Sequence, residues 1–471
     1  MAGTPDTHAA GTSVSDRLDA IANRLDAQDA VVAVRVLDAA TGEVLYTHGD
    51  IDYPMKPASN MKLLTAALAL ETFGPDHTFK TYLLFDGQDL TVVGTGDPGT
   101  GDPVFAGDGA IDAMFDEWVK ALRMRRVTRV PGRLIVDDRA IDRFVVHPSW
   151  WPEDDLQTWY GAAVGGLNFN DNCIDFTAEP TDPGRPVSIG FAPAGAQITV
   201  HNHMTTAARS DDDSADVEKT IGLDEYTFSG TLAEATTFSS KPVMDPGMLF
   251  AQAMRSSLEL RGVTIAGETV RDSAPLGAPF AAPTGDPVVA IHETPIAAVL
   301  ARILKPSQNM FADATAKMVG LAFYQEHRLP LPGSWLGADR ATRAWFDGLG
   351  IDHRGLIYAD GSGLSHHNRV TARLVSDLLL TMHNSEHAEL WKQSLAVGGV
   401  DGTLRRRFTD TPGRVVGKTG TLTGASTLSG YVTTDSGREL VFSILVNGHR
   451  ASADARSLQD GLVSVLMDGV E

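Results

Sequence analysis

Three short polar motifs each occur once in this chain, and the distances between them constrain how it can fold. The motifs are Ser59-Asn60-Met61-Lys62, Ser307-Gln308-Asn309 and Lys418-Thr419-Gly420. Ser307 lies 248 residues (307 − 59) after Ser59, whereas 111 residues (418 − 307) separate it from Lys418. If the motifs serve one site, the long first gap holds more than a domain's worth of chain. The spacing therefore predicts one domain built from both ends of the chain around an insertion.

Patterns along the chain support this division. Residues from ~76 to ~285 are rich in short strands and in Gly, Pro and Asp turns, while helical patterns return after them. We predict a discontinuous catalytic domain over residues 1–75 and 286–471, and an inserted region over residues 76–285. The insertion is expected to form two small domains, about 76–103 with 184–285, and 104–183. Within it, a helix is predicted over Gly107 to Arg126.

Composition limits the possible partners. The net charge of −21 over 471 residues argues against nucleic acid and anionic membrane surfaces. No segment has the apolar length needed to span a membrane. Met1 to Ser15 contain no apolar run, so we expect no signal peptide in this sequence. Cys173 is the one cysteine, so no internal disulfide can form.

The first motif predicts a serine and a lysine on one face of a helix. A helical pattern runs from Pro57 to Glu71, and residues three apart on a helix are neighbours. A serine hydroxyl needs a base to act as a nucleophile. Lys62 can be that base if burial and a second cation, for which Lys418 is the candidate, lower its pKa. Taken alone, an incidental Ser and Lys on a solvated helix is the better interpretation, and the other two motifs change that preference.

The second motif lies after Pro306, in a break between two helical patterns. Ser307 can pass a proton between Lys62 and a leaving nitrogen. Asn309 offers both a donor and an acceptor, which suits a substrate amide. Serine is equally good as a helix N-cap, and this structural role for Ser307 is compatible with the chemical one.

The third motif follows two valines and is expected to lie on a strand whose edge can pair with an extended peptide. Gly420 would let the two backbones approach closely. Lys418 would attract a terminal carboxylate, assisted by the hydroxyls of Thr419 and Thr421. The N–H groups of Thr421 and Ser59 would form an oxyanion hole. The alternative is an ordinary edge strand with a solvated lysine.

Together the motifs resemble those of serine β-lactamases and penicillin-binding proteins. The chain is similar over most of its length to D-alanyl-D-alanine carboxypeptidases and endopeptidases of the penicillin-binding protein 4 type. These are class C low-molecular-mass penicillin-binding proteins, peptidase family S13. The resemblance is carried by five stretches, Lys56–Lys62, Lys305–Met310, Asp360–Ser365, Asp401–Leu404 and Gly417–Thr421.

The resemblance implies an α+β fold. It consists of a penicillin-binding-protein or serine β-lactamase-like transpeptidase domain, with an antiparallel sheet flanked by helices, and inserted β-rich domains. It also implies cleavage of peptidoglycan stem peptides ending in D-Ala-D-Ala, outside the cytoplasm, through an acyl-enzyme on Ser59. β-Lactam antibiotics are then expected to acylate the same serine. The chemistry requires no cofactor and no metal.

Further candidates for substrate binding lie outside the three motifs. The resemblance places Leu364 and His366 at the substrate, and relatives that recognise diaminopimelate often carry arginine where His366 stands. A neutral imidazole holds a carboxylate less well than a guanidinium does. In the insertion, an aromatic and acidic stretch that includes Trp151, Asp154 and Tyr160 can form a wall against an ammonium-bearing side chain. The alternative for this stretch is a packed or surface loop.

Two other functions match parts of the pattern. A β-lactamase needs rapid deacylation, but the Glu-x-x-Leu-Asn pattern of class A enzymes is absent and the 248-residue gap (307 − 59) is not expected of one. A catalytically silent cell-wall binding protein would not need all five polar residues of the motifs. The sequence leaves open the oligomeric state, the third residue of the stem peptide, and the preference between carboxypeptidase and endopeptidase action.

Overall fold

The structure, a computed structural model, describes residues 13–26, 30–107, 109–150, 153–209, 213–273 and 281–469. The described residues form two compact units. The first unit takes its residues from Met1–Leu63, Ile351–Ile357 and Asn368–Glu471, and the second from Leu64–Gly350 and Tyr358–His367. The predicted domain bounds at residues 76 and 286 stay a prediction.

The helices of the described residues are α1 (Val14–Asp26), α2 (Met61–Phe73), α3 (Pro103–Ala106), α4 (Met114–Met124), α5 (Pro246–Leu260), α6 (Ile296–Leu304), α7 (Asn309–Glu326), α8 (Trp335–Leu349), α9 (Ala372–His383), α10 (Ala388–Ser394) and α11 (Ser452–Met467). None of them combines the length and the apolar character that crossing a bilayer requires.

The strands are β1 (Val31–Asp38), β2 (Val44–His48), β3 (Thr78–Phe85), β4 (Leu90–Gly94), β5 (Arg129–Val130), β6 (Leu134–Asp137), β7 (Cys173–Glu179), β8 (Ser188–Ala192), β9 (Thr199–Asn202), β10 (Thr205–Thr206), β11 (Asp216–Lys219), β12 (Glu225–Ser229), β13 (Thr231–Leu232), β14 (Thr236–Thr237), β15 (Lys241–Pro242), β16 (Thr264–Ile265), β17 (Thr269–Arg271), β18 (Val288–Pro295), β19 (Ala396–Val397), β20 (Val415–Leu422), β21 (Ala425–Thr433) and β22 (Glu439–Asn447).

The first unit is built on a six-stranded antiparallel sheet in the order β19-β20-β21-β22-β1-β2. Side chains along a strand alternate between the two faces of a sheet. In β1, Val32, Val34 and Val36 face a core that includes residues of α1 and α11. Arg35 points to the other face and donates to Ser376 Oγ of α9 at 2.8 Å. The sheet therefore has helices on both faces, as expected for the catalytic domain.

The second unit contains a five-stranded mixed sheet in the order β17-β6-β4-β3-β18 and several smaller sheets. In the large sheet, β4, β6 and β17 are parallel, while β3 runs antiparallel to its two neighbours. One buried cluster includes Phe115, Trp118 and Phe250 from α4 and α5. A separate cluster, which includes Phe176 and Tyr226, lies among the short strands β7 to β15. Clusters of buried side chains do not define domain ends, so the predicted subdivision of the insertion stays a prediction.

One predicted helix is shorter in the structure. The pattern over Gly107 to Arg126 predicted a single helix, but α4 spans only Met114–Met124. Gly107 has φ of +56° and ends the short helix α3, so the chain turns there and does not continue helically. The prediction was wrong because it gave helical propensity more weight than these breaks.

Candidate active site

Ser59 lies in a single 3-10 turn, Ala58–Asn60, which leads directly into α2. Ala58 is buried and has φ of +46°, a left-handed conformation that is unfavourable for alanine. Lys62 follows in the first turn of α2 and is fully buried. Its Nζ lies 3.1 Å from Ser59 Oγ. This is the contact predicted from the spacing of three residues, and it places an amine where it can take the hydroxyl proton.

Strand β21 fixes the turn that carries the serine. Thr427 Oγ1 donates to the carbonyl of Pro57 at 2.9 Å, and Asn60 Nδ2 donates to Ser429 Oγ at 2.7 Å. The register of β20 against β21 pairs Ser429 with Lys418. The same strand therefore positions the first motif and the third. These anchoring hydroxyls were not identified from the sequence, because nothing in their local pattern marks them.

Lys418 is fully buried in β20, and its Nζ donates to the carbonyl of Thr419 at 2.9 Å. Burial, followed by the charge of Lys62, holds the pKa of Lys418 well below its usual range. Two lysine side chains thus share the site, and a charge on one disfavours a charge on the other. The predicted second lysine is therefore present, but its charged form is disfavoured, and its role in lowering the pKa of Lys62 stays a prediction.

Gly420 is the point of closest approach between β20 and the serine turn. A Cβ placed at Gly420 would lie 2.3 Å from Thr427 Oγ1 and 2.9 Å from the backbone nitrogen of Ser59. Real Cβ atoms do not approach other atoms so closely, so only glycine fits here. The predicted close approach was to a bound peptide, and that stays a prediction.

The outer edge of β20 is open over the motif. β19 is two residues long, and its pairing with β20 ends at Gly417. Beyond that point, no further strand pairs with this edge in the described part of the sheet. Thr421 is exposed on β20, and Thr419 Oγ1 donates to Thr403 Oγ1 at 2.8 Å. An open edge of this kind can pair with an extended peptide.

The second motif lies in the second unit, between α6 and α7. Ser307 has φ of +70°, and Asn309 is the first residue of α7. The N-cap of α7 is Gln308, so Ser307 is not the N-cap that the sequence allowed. Asn309 is buried, and its Nδ2 donates to the carbonyl of Tyr160 at 2.8 Å. This bond connects the motif to the aromatic and acidic stretch of the insertion.

That stretch is described only in part. Trp151 lies outside the described residues, and Asp154 is described only as part of a short 3-10 turn. Tyr160 Oη donates to a carboxylate oxygen of Asp155 at 3.0 Å. Among the described contacts of this stretch, the Tyr160 carbonyl accepts from Asn309 of the second motif.

Leu364 and His366 also lie in the second unit, on the segment that begins at Asp360. Leu364 is buried and His366 is half-buried. The carboxylate of Asp360 accepts the backbone N–H of Ser365 at 2.7 Å and Trp150 Nε1 at 2.8 Å. Asp360 thus links the segment of Leu364 and His366 to the start of the tryptophan-rich stretch. The sequence contained the Asp360–Ser365 match, but it carried no signal for the link to Trp150.

Comparison with known proteins identifies the family. The sequence profile of the D-Ala-D-Ala carboxypeptidase 3 (S13) family matches residues 14–468. The chain belongs to this family. It is similar to a D-alanyl-D-alanine carboxypeptidase of Actinomadura sp., with 34% identity over 475 residues that cover 96% of this chain and 84% of the relative. The predicted resemblance and the predicted enzyme class, a serine-type D-Ala-D-Ala carboxypeptidase, are confirmed.

Solved structures of this type share the fold. Penicillin-binding protein 4 from Haemophilus influenzae superposes with a TM-score of 0.78 at 22% identity, covering 96% of this chain and 99% of that one. A structure of the same H. influenzae protein complexed with a β-lactam gives a TM-score of 0.73 at 22% identity and the same coverage of both chains. The predicted α+β fold of this S13 carboxypeptidase is therefore confirmed.

Proposed function

We propose that this S13 carboxypeptidase removes the last D-alanine from peptidoglycan stem peptides ending in D-Ala-D-Ala, through an acyl-enzyme on Ser59. The observation that carries the proposal is the 3.1 Å contact between Lys62 Nζ and Ser59 Oγ, in a buried site with a second lysine. A neutral amine at that distance is a competent general base for a serine nucleophile.

Acylation follows from this contact. Lys62 takes the hydroxyl proton while Ser59 Oγ bonds to the carbonyl carbon of the penultimate residue. The N–H groups of Ser59 and Thr421 stabilise the oxyanion. When the C–N bond breaks, the leaving amine of the last D-alanine receives the proton by way of Ser307. Water then attacks the ester, and the shortened peptide leaves with Ser59 restored.

Lys418 is proposed to bind the terminal carboxylate of the peptide, with Thr419 beside it. In the free enzyme, burial and Lys62 disfavour the charged form of Lys418. A bound carboxylate has the opposite effect, so substrate binding and protonation of Lys418 are linked. Asn309 is proposed to hold the substrate amide, and the open edge of β20 to pair with the peptide backbone.

The remaining predicted residues are proposed to select the stem peptide. Trp151, Asp154 and Tyr160 would face an ammonium-bearing side chain, while Leu364 and His366 would complete the binding surface. We further propose that β-lactam antibiotics acylate Ser59, because opening their ring transfers an acyl group as the peptide does. The substrate lies in the cell wall, so the enzyme is proposed to act outside the cytoplasm.

Two assays on the purified protein test the proposal. One is the intact mass after incubation with benzylpenicillin, and the other is release of D-alanine from a peptide ending in Lys-D-Ala-D-Ala. We expect D-alanine release and a lasting adduct on the tryptic peptide of residues 36–62, in which Ser59 is the single serine. Rapid penicillin hydrolysis without an adduct would indicate a β-lactamase. No reaction in either assay would indicate a binding protein, and an adduct on another peptide would exclude Ser59.

A further inference from the structure

The second motif contacts a largely buried ion cluster whose two aspartates lie far from the motif in the sequence. Gln308, its middle residue, donates from Nε2 to a carboxylate oxygen of Asp171 at 2.7 Å. The same oxygen lies 3.0 Å from Nη2 of Arg302 on α6. Arg302 also pairs with Asp102 at 2.7 Å. We call Asp102, Asp171, Arg302 and Gln308 the Asp171 cluster.

Both turns that meet in the Asp171 cluster have strained backbones. Ser307 has φ of +70°, and the consecutive residues Asn170, Asp171 and Asn172 have φ of +52°, +52° and +57°. Such conformations persist only when their surroundings enforce them. Asn172 is held by donation from its Nδ2 to the carbonyl of Ala163 at 2.8 Å. This bond helps to hold the turn in which the carboxylate of Asp171 accepts from Gln308.

The cluster contains one cation and two carboxylates. Burial, followed by the charge of Asp102, raises the pKa of Asp171 to about 7, while Arg302 and Gln308 act in the opposite direction. The third titratable group against Asp171 is the Cys173 thiol, which donates to the Asp171 carbonyl at 3.4 Å. The ionised carboxylate accepts from Arg302 and Gln308 together, and protonation weakens both bonds.

We propose that Asp171 is a positioning residue for acylation, because its carboxylate, bound to Arg302 and Gln308, holds the turn that carries Ser307 and Asn309. Gln308 stands between those two residues, so a rotation of its backbone redirects both neighbours at once. This inference rests on the proposed function, in which the motif takes part in the reaction at Ser59.

Asp171→Asn tests the inference, since it keeps the shape of the side chain and removes its charge. We expect the second-order rate of acylation by benzylpenicillin to fall about 10- to 100-fold, the usual cost of slight misplacement of reacting groups. Asp171→Glu should retain more activity because it keeps the charge. In the wild type, the rate should rise with pH through a group titrating near neutrality, and Asp171→Asn should lose that step.

Asp175→Asn is the matched control. Asp175 accepts from Asn170 Nδ2 at 2.9 Å, so it lies behind the same turn, and neither Arg302 nor Gln308 is among its hydrogen-bond partners. The acylation rate and pH profile of Asp175→Asn should match those of the wild type, and thermal melts should show that every variant is folded.

If the wild type is acylated and Asp171→Asn behaves like it, the positioning role of Asp171 is excluded while the proposed function stands. Equal losses in Asp171→Asn and Asp175→Asn would also exclude it. A wild type that benzylpenicillin does not acylate would refute the proposed function itself.

Discussion

The two regions that carry the motifs differ in how their charged side chains interact, because like charges repel in one and opposite charges attract in the other. Around Ser59, two buried lysines disfavour each other's charge, and burial adds to the effect on Lys418. Around Ser307, an arginine lies between two carboxylates, and opposite charges hold a strained turn. In the proposed function, the first arrangement lowers stability and supplies a reactive amine, whereas the second stabilises the conformation of the turn. Changes in the first region should therefore alter chemistry more than folding, and changes in the second should alter both.

Lys62→Ala should produce the largest loss in the first region. Removing the proposed base should slow acylation by benzylpenicillin by roughly 10²–10⁴-fold, the usual contribution of a positioned general base. Stopped-flow or quench measurements of adduct formation give the rate, and Ser59→Ala serves as a folded variant with no nucleophile. Near wild-type acylation in Lys62→Ala would show that another group activates Ser59.

Gly420→Ala tests whether close approach of β20 shapes the serine turn. The added methyl group would collide with Thr427 Oγ1 and press on the Ser59 nitrogen, so that turn must shift. Displacing one oxyanion donor costs about 10²–10³-fold in rate, and we expect a loss toward the lower end of that range. Gly348→Ala is the control, because a Cβ there meets nothing within 4 Å. Equal rates for the two variants would remove Gly420 from the site.

The smallest expected effects are on the free energy of unfolding. A substitution in the first region should raise it, and a substitution in the second should lower it. Lys418→Met should stabilise the protein at neutral pH, because burial and Lys62 disfavour the charged amine in the folded protein but not in the unfolded chain. Arg302→Met leaves the buried carboxylate of Asp102 and the half-buried carboxylate of Asp171 without their cation, and it should destabilise the protein by about 3–5 kcal/mol. Urea denaturation measures both free energies of unfolding. The comparison fails if the two substitutions change stability in the same direction.

The pH dependence of the Lys418→Met effect follows from linkage. The pKa of Lys418 is lower in the folded protein than its ordinary value of 10.5. Between those values the unfolded chain binds one more proton, so wild-type stability rises with pH. The advantage of Lys418→Met should therefore shrink as the pH is raised toward 10.5. An advantage that grows with pH would show that Lys418 is charged in the folded protein.

Local spacing predicted the first region well. Ser59 and Lys62 meet as their spacing predicted, although Ser59 lies in a 3-10 turn before α2 and not in the predicted helix from Pro57. The strand position of Lys418 follows from the valines before it. Thr403, which accepts the hydroxyl of Thr419, lies in a stretch that the family resemblance had marked, although no role was assigned to it. Motifs on regular elements carry their geometry with them, which is why they were accessible from the sequence.

The supports of the second motif were not accessible in the same way. Asp102 and Asp171 lie far from the motif in the sequence, and only tertiary folding brings them to Arg302 and, for Asp171, to Gln308. The positive φ angles of Ser307 and Asp171 were equally hidden, because neither residue is glycine. Long-range charge pairing and enforced backbone strain leave no local pattern in a single sequence.

A double-mutant cycle on Lys62 and Ser307 directly tests the proposal that the two regions act in one reaction. Acylation by benzylpenicillin would be timed for Lys62→Ala, Ser307→Ala and the double variant, each checked for folding by a thermal melt. Groups that act on the same proton transfer are strongly non-additive, so the double variant should be about as slow as the slower single variant. If the two losses multiply, Lys62 and Ser307 act independently and do not share a proton path.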